Sequence, residues 1–125
     1  MILLLDANAL LWWLADDAGL SDGAQRAIAD PSNDVLVSAA TVWEIEVKRA
    51  LGKLEAPAGL VAALEPAGFA SLPISAADGE TAGCLPSHHR DPFDRMLAAQ
   101  AMRLEAVIVS RGQSFADDGI QVLSA

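Results

Sequence analysis

Asp6, Glu44, Asp91 and Asp94 stand where carboxylates can do chemistry. Asp6 ends a short apolar run, Glu44 lies in the second turn of a helix that follows another such run, and Asp91 and Asp94 open a helix that leads into a third. In an open parallel sheet, ligands bind outside the carboxyl ends of the strands, and helix starts face the same edge. Asp6, Glu44 and Asp94 are therefore expected to converge there. Carboxylates held together repel one another and raise each other's pKa unless they share a cation. Mg²⁺ or Mn²⁺ suits such an oxygen cage. The implied chemistry is metal-assisted phosphodiester hydrolysis. Each acid also has a local explanation. Asp6 with Asn8 fits an Asx turn capping the first helix. Thr41-Val-Trp-Glu44 fits a capping box, although Ser38 is the better cap. Asp91-Pro-Phe-Asp94 fits a cap plus a first-turn acid favoured by the helix dipole.

The elements that would position these residues alternate in type. Residues 2–6 read as a buried strand, 8–15 as a helix, and 21–29 as a helix capped by Ser21. After the turn at Asp30-Pro31-Ser32-Asn33 come a strand at 35–37 and a helix at 39–51, with Trp43, Val47, Ala50 and Leu54 as its apolar stripe. Gly52 marks its stop. A shorter helix at 57–65, a strand at 69–74 and a weak helix at 75–83 follow. The helix opened by Asp91-Pro92 runs to Leu104, with Phe93, Leu97, Ala101 and Leu104 along one face. Strands at 107–109 and near 120–123 complete the chain. This order predicts an α/β layer with a mostly parallel sheet. No repeat, linker or low-complexity tract interrupts residues 1–125, which are expected to form one domain.

Composition narrows the function classes. Apolar residues make up 53% of the 125, which excludes disorder. The longest apolar run, Ala9–Ala15, has seven residues, far short of a membrane span, and it follows Asp6 rather than a basic stretch. A cytoplasmic protein with no membrane partner is expected. The single cysteine, Cys84, excludes an internal disulfide framework and a cysteine zinc cluster. Seventeen acids against eight bases give −9, which argues against binding mainly through phosphates unless some acids hold a cation.

Three segments carry a family resemblance. They are Leu3-Leu-Leu-Asp6-Ala-Asn8-Ala-Leu-Leu-Trp12; Ser38-Ala-Ala-Thr-Val-Trp-Glu44-Ile-Glu-Val-Lys48 with Leu51-Gly-Lys-Leu54; and His89-Arg-Asp91-Pro-Phe-Asp94-Arg-Met-Leu-Ala-Ala-Gln100-Ala, followed by Val107-Ile-Val-Ser110. In this order and spacing the chain resembles the PIN-domain ribonucleases, specifically VapC-type toxins of bacterial toxin–antitoxin pairs. The resemblance implies a three-layer α/β/α PIN-like fold with a short, mostly parallel sheet. It implies a metal-dependent endoribonuclease whose acidic pocket holds Mg²⁺ or Mn²⁺. By position, Asp6, Glu44 and Asp94 are the catalytic and metal-binding acids. Asn8 and Ser110 support the pocket, and Asp91 serves as the helix cap. It also implies an RNA substrate, a homodimer, and an antitoxin whose basic segment occludes the pocket.

The chain departs from the family at one place. After the late strand the family often has Ser or Thr, a variable residue and a fourth Asp; here the string is Ser110-Arg111-Gly112. Three carboxylates and water can hold one ion, so one metal or two stays open, as does compensation by Asp117 or Asp118. Five of the eight bases, Lys48, Arg49, Lys53, Arg90 and Arg95, lie near site acids in sequence. Lys48, Arg90 and Arg95 are the candidate RNA contacts, with solvated helix faces as the plainer alternative. His88 and His89 are expected in a loop. Adjacent Trp12 and Trp13 cannot face the same way on a helix, so one should lie at an interface or under a loop. Gly112 motivates a rival function, a catalytically weak or inactive PIN-fold protein acting through antitoxin binding. A phosphatase with Asp6 as nucleophile is weaker, because Asp6-Ala7-Asn8 lacks the second aspartate that chemistry uses.

Overall fold

The leucines of the first strand alternate between two cores. Leu3 and Leu5 enter one apolar cluster with Leu10, Ile28, Val37 and Ile45, while Leu4 enters another with Leu97, Ala98, Ile108 and Phe115. A strand buried on both faces must carry apolar residues at consecutive positions. A computed structural model of the chain describes residues 1–86, 91–112 and 114–125. In it β1 (Ile2–Leu5), β2 (Asp34–Ser38), β3 (Ala70–Leu72), β4 (Val107–Ser110) and β5 (Val122–Ser124) form one sheet in the order β3-β2-β1-β4-β5. Every pairing is parallel, with Leu4 opposite Leu36 on one side and Ile108 on the other. The helices are α1 (Ala7–Leu14), α2 (Asp22–Ala29), α3 (Ala39–Ala50), α4 (Leu60–Leu64), α5 (Ala76–Cys84) and α6 (Pro92–Leu104), with a short 3₁₀ turn at Ser114–Asp118. They cover both faces of the sheet, giving the three α/β/α layers expected.

The boundaries move in instructive ways. β1 stops at Leu5, because Asp6 is already the cap of α1. The helix expected from Pro57 begins only at Leu60, after Gly59 in the left-handed region (φ 73°). The strand expected over 69–74 is confined to 70–72. The last strand is shifted to 122–124.

One expected helix face needs correction, and a second is broader than expected. On α3 the buried residues are Ala40, Thr41, Glu44 and Ile45, whereas Trp43 is 61% exposed. Its apolar stripe therefore is not its inner face. The inner face carries polar groups because it borders the sheet's carboxyl edge, where Thr41 donates a hydrogen bond to the Leu5 carbonyl (3.2 Å). Trp43 instead meets Phe93 of α6 edge-on, at 5.1 Å between ring centroids. On α6 an unbroken run, Leu97 to Ala101, is buried, and Phe93 is only half-buried. The helix packs against β1 and β4 on one side and against α5 on another, so no narrow stripe suffices.

Helix α5 contains two glycines and little amphipathicity, and polar contacts hold it. Ser75 and Asp78 form a reciprocal capping box. The buried Asp78 carboxylate receives the Arg103 guanidinium two-pronged, Nε to Oδ1 at 2.7 Å and Nη2 to Oδ2 at 3.0 Å. The same arginine holds the Asp78 carboxyl down to about 2. This pair fastens α5 to the far end of α6.

Adjacent Trp12 and Trp13 part as helical geometry requires. Trp13 packs on Phe69 with centroids 6.1 Å apart. Trp12 lies beneath the Arg111 guanidinium, 4.2 Å from its ring centroid. Arg111 also donates to the carbonyls of Ala125 and Gly19, tying the chain after β4 to the α1–α2 connection.

Candidate active site

The strand order reverses between β1 and β4, and a crevice opens at their carboxyl ends. A cavity of about 470 Å³ occupies it, with Asp6, Asn8, Glu44, Asp91, Asp94 and Ser110 among its lining residues. All six residues expected in the site are thus brought together. Lys48, Lys53, Gly112, Ser114 and Phe115 also border the cavity.

Asp6 satisfies both expectations at once. Its Oδ1 accepts the Ala9 N–H (2.9 Å) as the cap of α1, and the carboxylate still lines the cavity. Burial pushes its pKa up, against the opposing pull of the Ala9 N–H, the Ser110 hydroxyl, the Asn8 N–H and the Lys48 charge. Ser110 is buried at the end of β4, where its hydroxyl also accepts the Gly112 N–H (2.9 Å).

Glu44 is released from capping. Ser38 Oγ accepts the Ala40 N–H (3.0 Å), so α3 starts at Ala39 and Glu44 falls in the second turn. Only 7% exposed, it pairs with Lys48 of the next turn, Oε2 to Nζ at 2.5 Å. That bond, with the nearby charges of Glu44, Asp91 and Asp94, raises the Lys48 pKa against the opposing effect of burial.

Asp91 caps α6, its Oδ1 accepting the N–H groups of Phe93 (2.8 Å) and Asp94 (3.4 Å). Pro92 occupies the first turn, where its missing N–H costs nothing. The cap fixes the start of the helix and so the place of Asp94, half-buried in the cavity wall.

The basic residues divide. Arg95 is not aimed at the cavity. Its guanidinium donates to the carbonyls of Ala82, Gly83, Leu85 and Pro86, where α5 ends and its carbonyls lack helical partners. Arg49 pairs with Glu46 on the surface (3.0 Å). Arg90, His88 and His89 lie outside the described residues. Lys53 reaches the cavity through Gly52, whose left-handed φ of 71° reverses the chain after α3. The Lys53 N–H then closes onto the Lys48 carbonyl (2.9 Å) and the Gly52 N–H onto that of Arg49 (3.1 Å), a Schellman closure. Gly52 was the sequence signal for this turn; nothing in the sequence marks Ser114 or Phe115 as lining residues.

Neither Asp117 nor Asp118 is among the residues lining the cavity; its acids are Asp6, Glu44, Asp91 and Asp94. The glycine at position 112 is not needed by its backbone. A Cβ would sit 3.3 Å from Ser110 Oγ and 3.9 Å from Phe115, tight but not blocked.

Comparison with known proteins places the fold. No curated protein sequence matches the chain. Among solved structures, VapBC2 of Rickettsia felis, bound to a DNA fragment from its promoter, shares the fold at a TM-score of 0.69 and 16% identity, covering 99% of this chain and 98% of that one. FitAcB of Neisseria gonorrhoeae does so at 0.64 and 20%, covering 99% and 97%. VapC20 of Mycobacterium tuberculosis, described as a Sarcin-Ricin loop cleaving toxin, does so at 0.68 and 16%, covering 94% and 95%. The PIN domain model matches residues 3–119, nearly the whole length, and the chain therefore belongs to the PIN domain family.

Proposed function

We propose that the chain is a metal-dependent endoribonuclease of VapC type, the toxin of a toxin–antitoxin pair. The observation that carries this is the meeting of Asp6, Glu44, Asp91 and Asp94 in one cavity at the sheet's switch point. The PIN domain match and the fold shared with toxin–antitoxin structures support the same reading.

The donor chemistry fits a hard divalent cation. Carboxylates from three elements face one space, and a cation, the Lys48 ammonium, already sits against Glu44 there. As the side chains stand, no three His, Cys, Asp or Glu residues among those described converge closely enough to hold an ion. Binding would therefore require these side chains to draw closer together, and Glu44 Oε2 is engaged by Lys48 as they stand. Asp6, Glu44 and Asp94 are the residues that would hold Mg²⁺ or Mn²⁺, which supplies Lewis acidity for phosphodiester hydrolysis.

The chain's own groups do the rest. Asp91 fixes the start of α6 and hence Asp94. Ser110 and the Ala9 N–H keep the Asp6 carboxylate oriented. Among the described residues, Lys53, exposed at the cavity, and Lys48 are the cations there able to meet an RNA phosphate. An antitoxin partner, a homodimer and a cytoplasmic location belong to the same proposal. No helix among the described residues is long and apolar enough to cross a membrane.

Structured RNA incubated with the purified chain in Mg²⁺ or Mn²⁺ should be cut, and EDTA should stop the cutting. Equal cutting in EDTA would refute the metal dependence. Gly112 favours a second reading, a protein that binds its antitoxin with little catalysis. Tight antitoxin binding without cleavage over a broad RNA set would select it.

A further inference from the structure

We propose that Lys48 is a resident cation of the acidic cavity: its ammonium holds Glu44 in the place a divalent ion would take, and it must leave before such an ion binds. The proposal rests on the metal-binding reading of that cavity.

The pair differs from an ordinary i,i+4 surface contact. Glu44 is nearly buried, with its side chain 9% exposed, and its Oε2 lies 2.5 Å from the Lys48 nitrogen. The ammonium also feels Asp91 and Asp94 on α6, and its charge reaches Asp6 at the end of β1. It borders the same cavity as Asp6, Asp91 and Asp94, acids carried by two further elements. The neighbouring pair on the same helix is the contrast: Arg49 and Glu46 are both 40% exposed and neither is among the residues lining the cavity.

Carboxylates gathered around one cavity repel one another. A tethered ammonium relieves that repulsion without leaving the chain. Its four-carbon stem is flexible and its side chain remains 41% exposed, so a path to solvent is open. Glu44 accordingly spends an oxygen on Lys48. A divalent ion has to compete with this ammonium for the same oxygen. Removing the ammonium removes the competitor while keeping every carboxylate.

Calorimetric titration with Mn²⁺ tests this on the wild-type chain, Lys48→Met, Lys48→Arg and Glu44→Gln. Lys48→Met is expected to bind Mn²⁺ about tenfold more tightly than wild type, a change of about 1.4 kcal/mol. Lys48→Arg keeps the cation and should stay near wild type, and Glu44→Gln should bind weakest. Equal or weaker binding by a folded Lys48→Met, with Glu44→Gln still impaired, overturns the role of Lys48 alone. No Mn²⁺ binding by any of the four overturns the cavity reading as well. A measurement without substitution covers a Lys48→Met chain that fails to fold. The Lys48 ammonium resonance of the wild-type chain should shift or vanish as Mg²⁺ is added, and a resonance unmoved at saturating Mg²⁺ overturns the proposal.

Discussion

The bond between Asp78 and Arg103 gives a quantitative test of what holds the helix that carries Asp94. Replacing Asp78 by Asn keeps the shape, and the Ser75 cap can still be accepted, but the charge is lost. The Asp78 carboxyl is held at about 2, against an ordinary value of 3.8. At about 1.36 kcal/mol per pH unit that gap corresponds to about 2.4 kcal/mol. Arg103 is 44% exposed, so water screens the pair, and the expected loss at pH 7 is reduced to about 1–1.5 kcal/mol. The sign follows from the depressed value. The contribution is full above the unfolded pKa of 3.8 and is lost as pH falls through about 2. With these two values, roughly half of it should be gone at pH 3. Urea unfolding of wild type and Asp78→Asn at pH 7 and pH 3 measures this. A loss at pH 7 that halves at pH 3 is predicted, and it should lower the midpoint of thermal unfolding by about 4 °C at neutral pH. Equal stability at pH 7, or a difference that does not shrink in acid, would refute the reasoning.

Other substitutions probe separate parts of the account. Glu105 ends α6 in the left-handed region at φ 53°. Glu105→Gly should therefore raise stability by up to about 1 kcal/mol, and a fall in the thermal midpoint would contradict that. Gly112→Asp places a carboxylate at a lining position where its Cβ fits once Ser110 Oγ gives by a few tenths of an ångström. Mn²⁺ affinity should rise and metal-free stability should fall. Unchanged affinity in calorimetry would mean that position 112 does not face the ion. Arg95→Met should lower thermal stability, because the carbonyls at the end of α5 lose their donor. It should leave RNA affinity per folded molecule unchanged, and a large loss of affinity would restore Arg95 as an RNA contact.

The site was more legible in the sequence than the packing around it. The carboxylates were found because each sits at an element boundary, where cap chemistry and strand ends leave local marks. Asp6 shows that a cap and a cavity-lining carboxylate can be the same group. Glu44 was separable from a capping box only by noticing the better cap at Ser38. Trp43 was misplaced because periodicity weighs apolarity, whereas the inner face of α3 holds Thr41 and Glu44 against the strand ends. Arg95 and Asp78 were opaque for another reason. Arg95 serves carbonyls 9 to 13 positions back, and Asp78 meets an arginine 25 positions on. Contacts that long are set by how α5 lies on α6, which no local pattern encodes. The Schellman turn at Gly52 was visible as a helix stop, but where it would deliver Lys53 depended on the fold.

The central claim is that the cavity formed by Asp6, Glu44 and Asp94 is a metal-dependent nuclease centre. Cleavage of structured RNA by the wild-type chain and by Asp94→Asn, side by side in Mn²⁺, tests it most directly. The variant should keep its circular dichroism spectrum and thermal midpoint while losing cleavage at least about a hundredfold. Undiminished cleavage by folded Asp94→Asn would contradict the account.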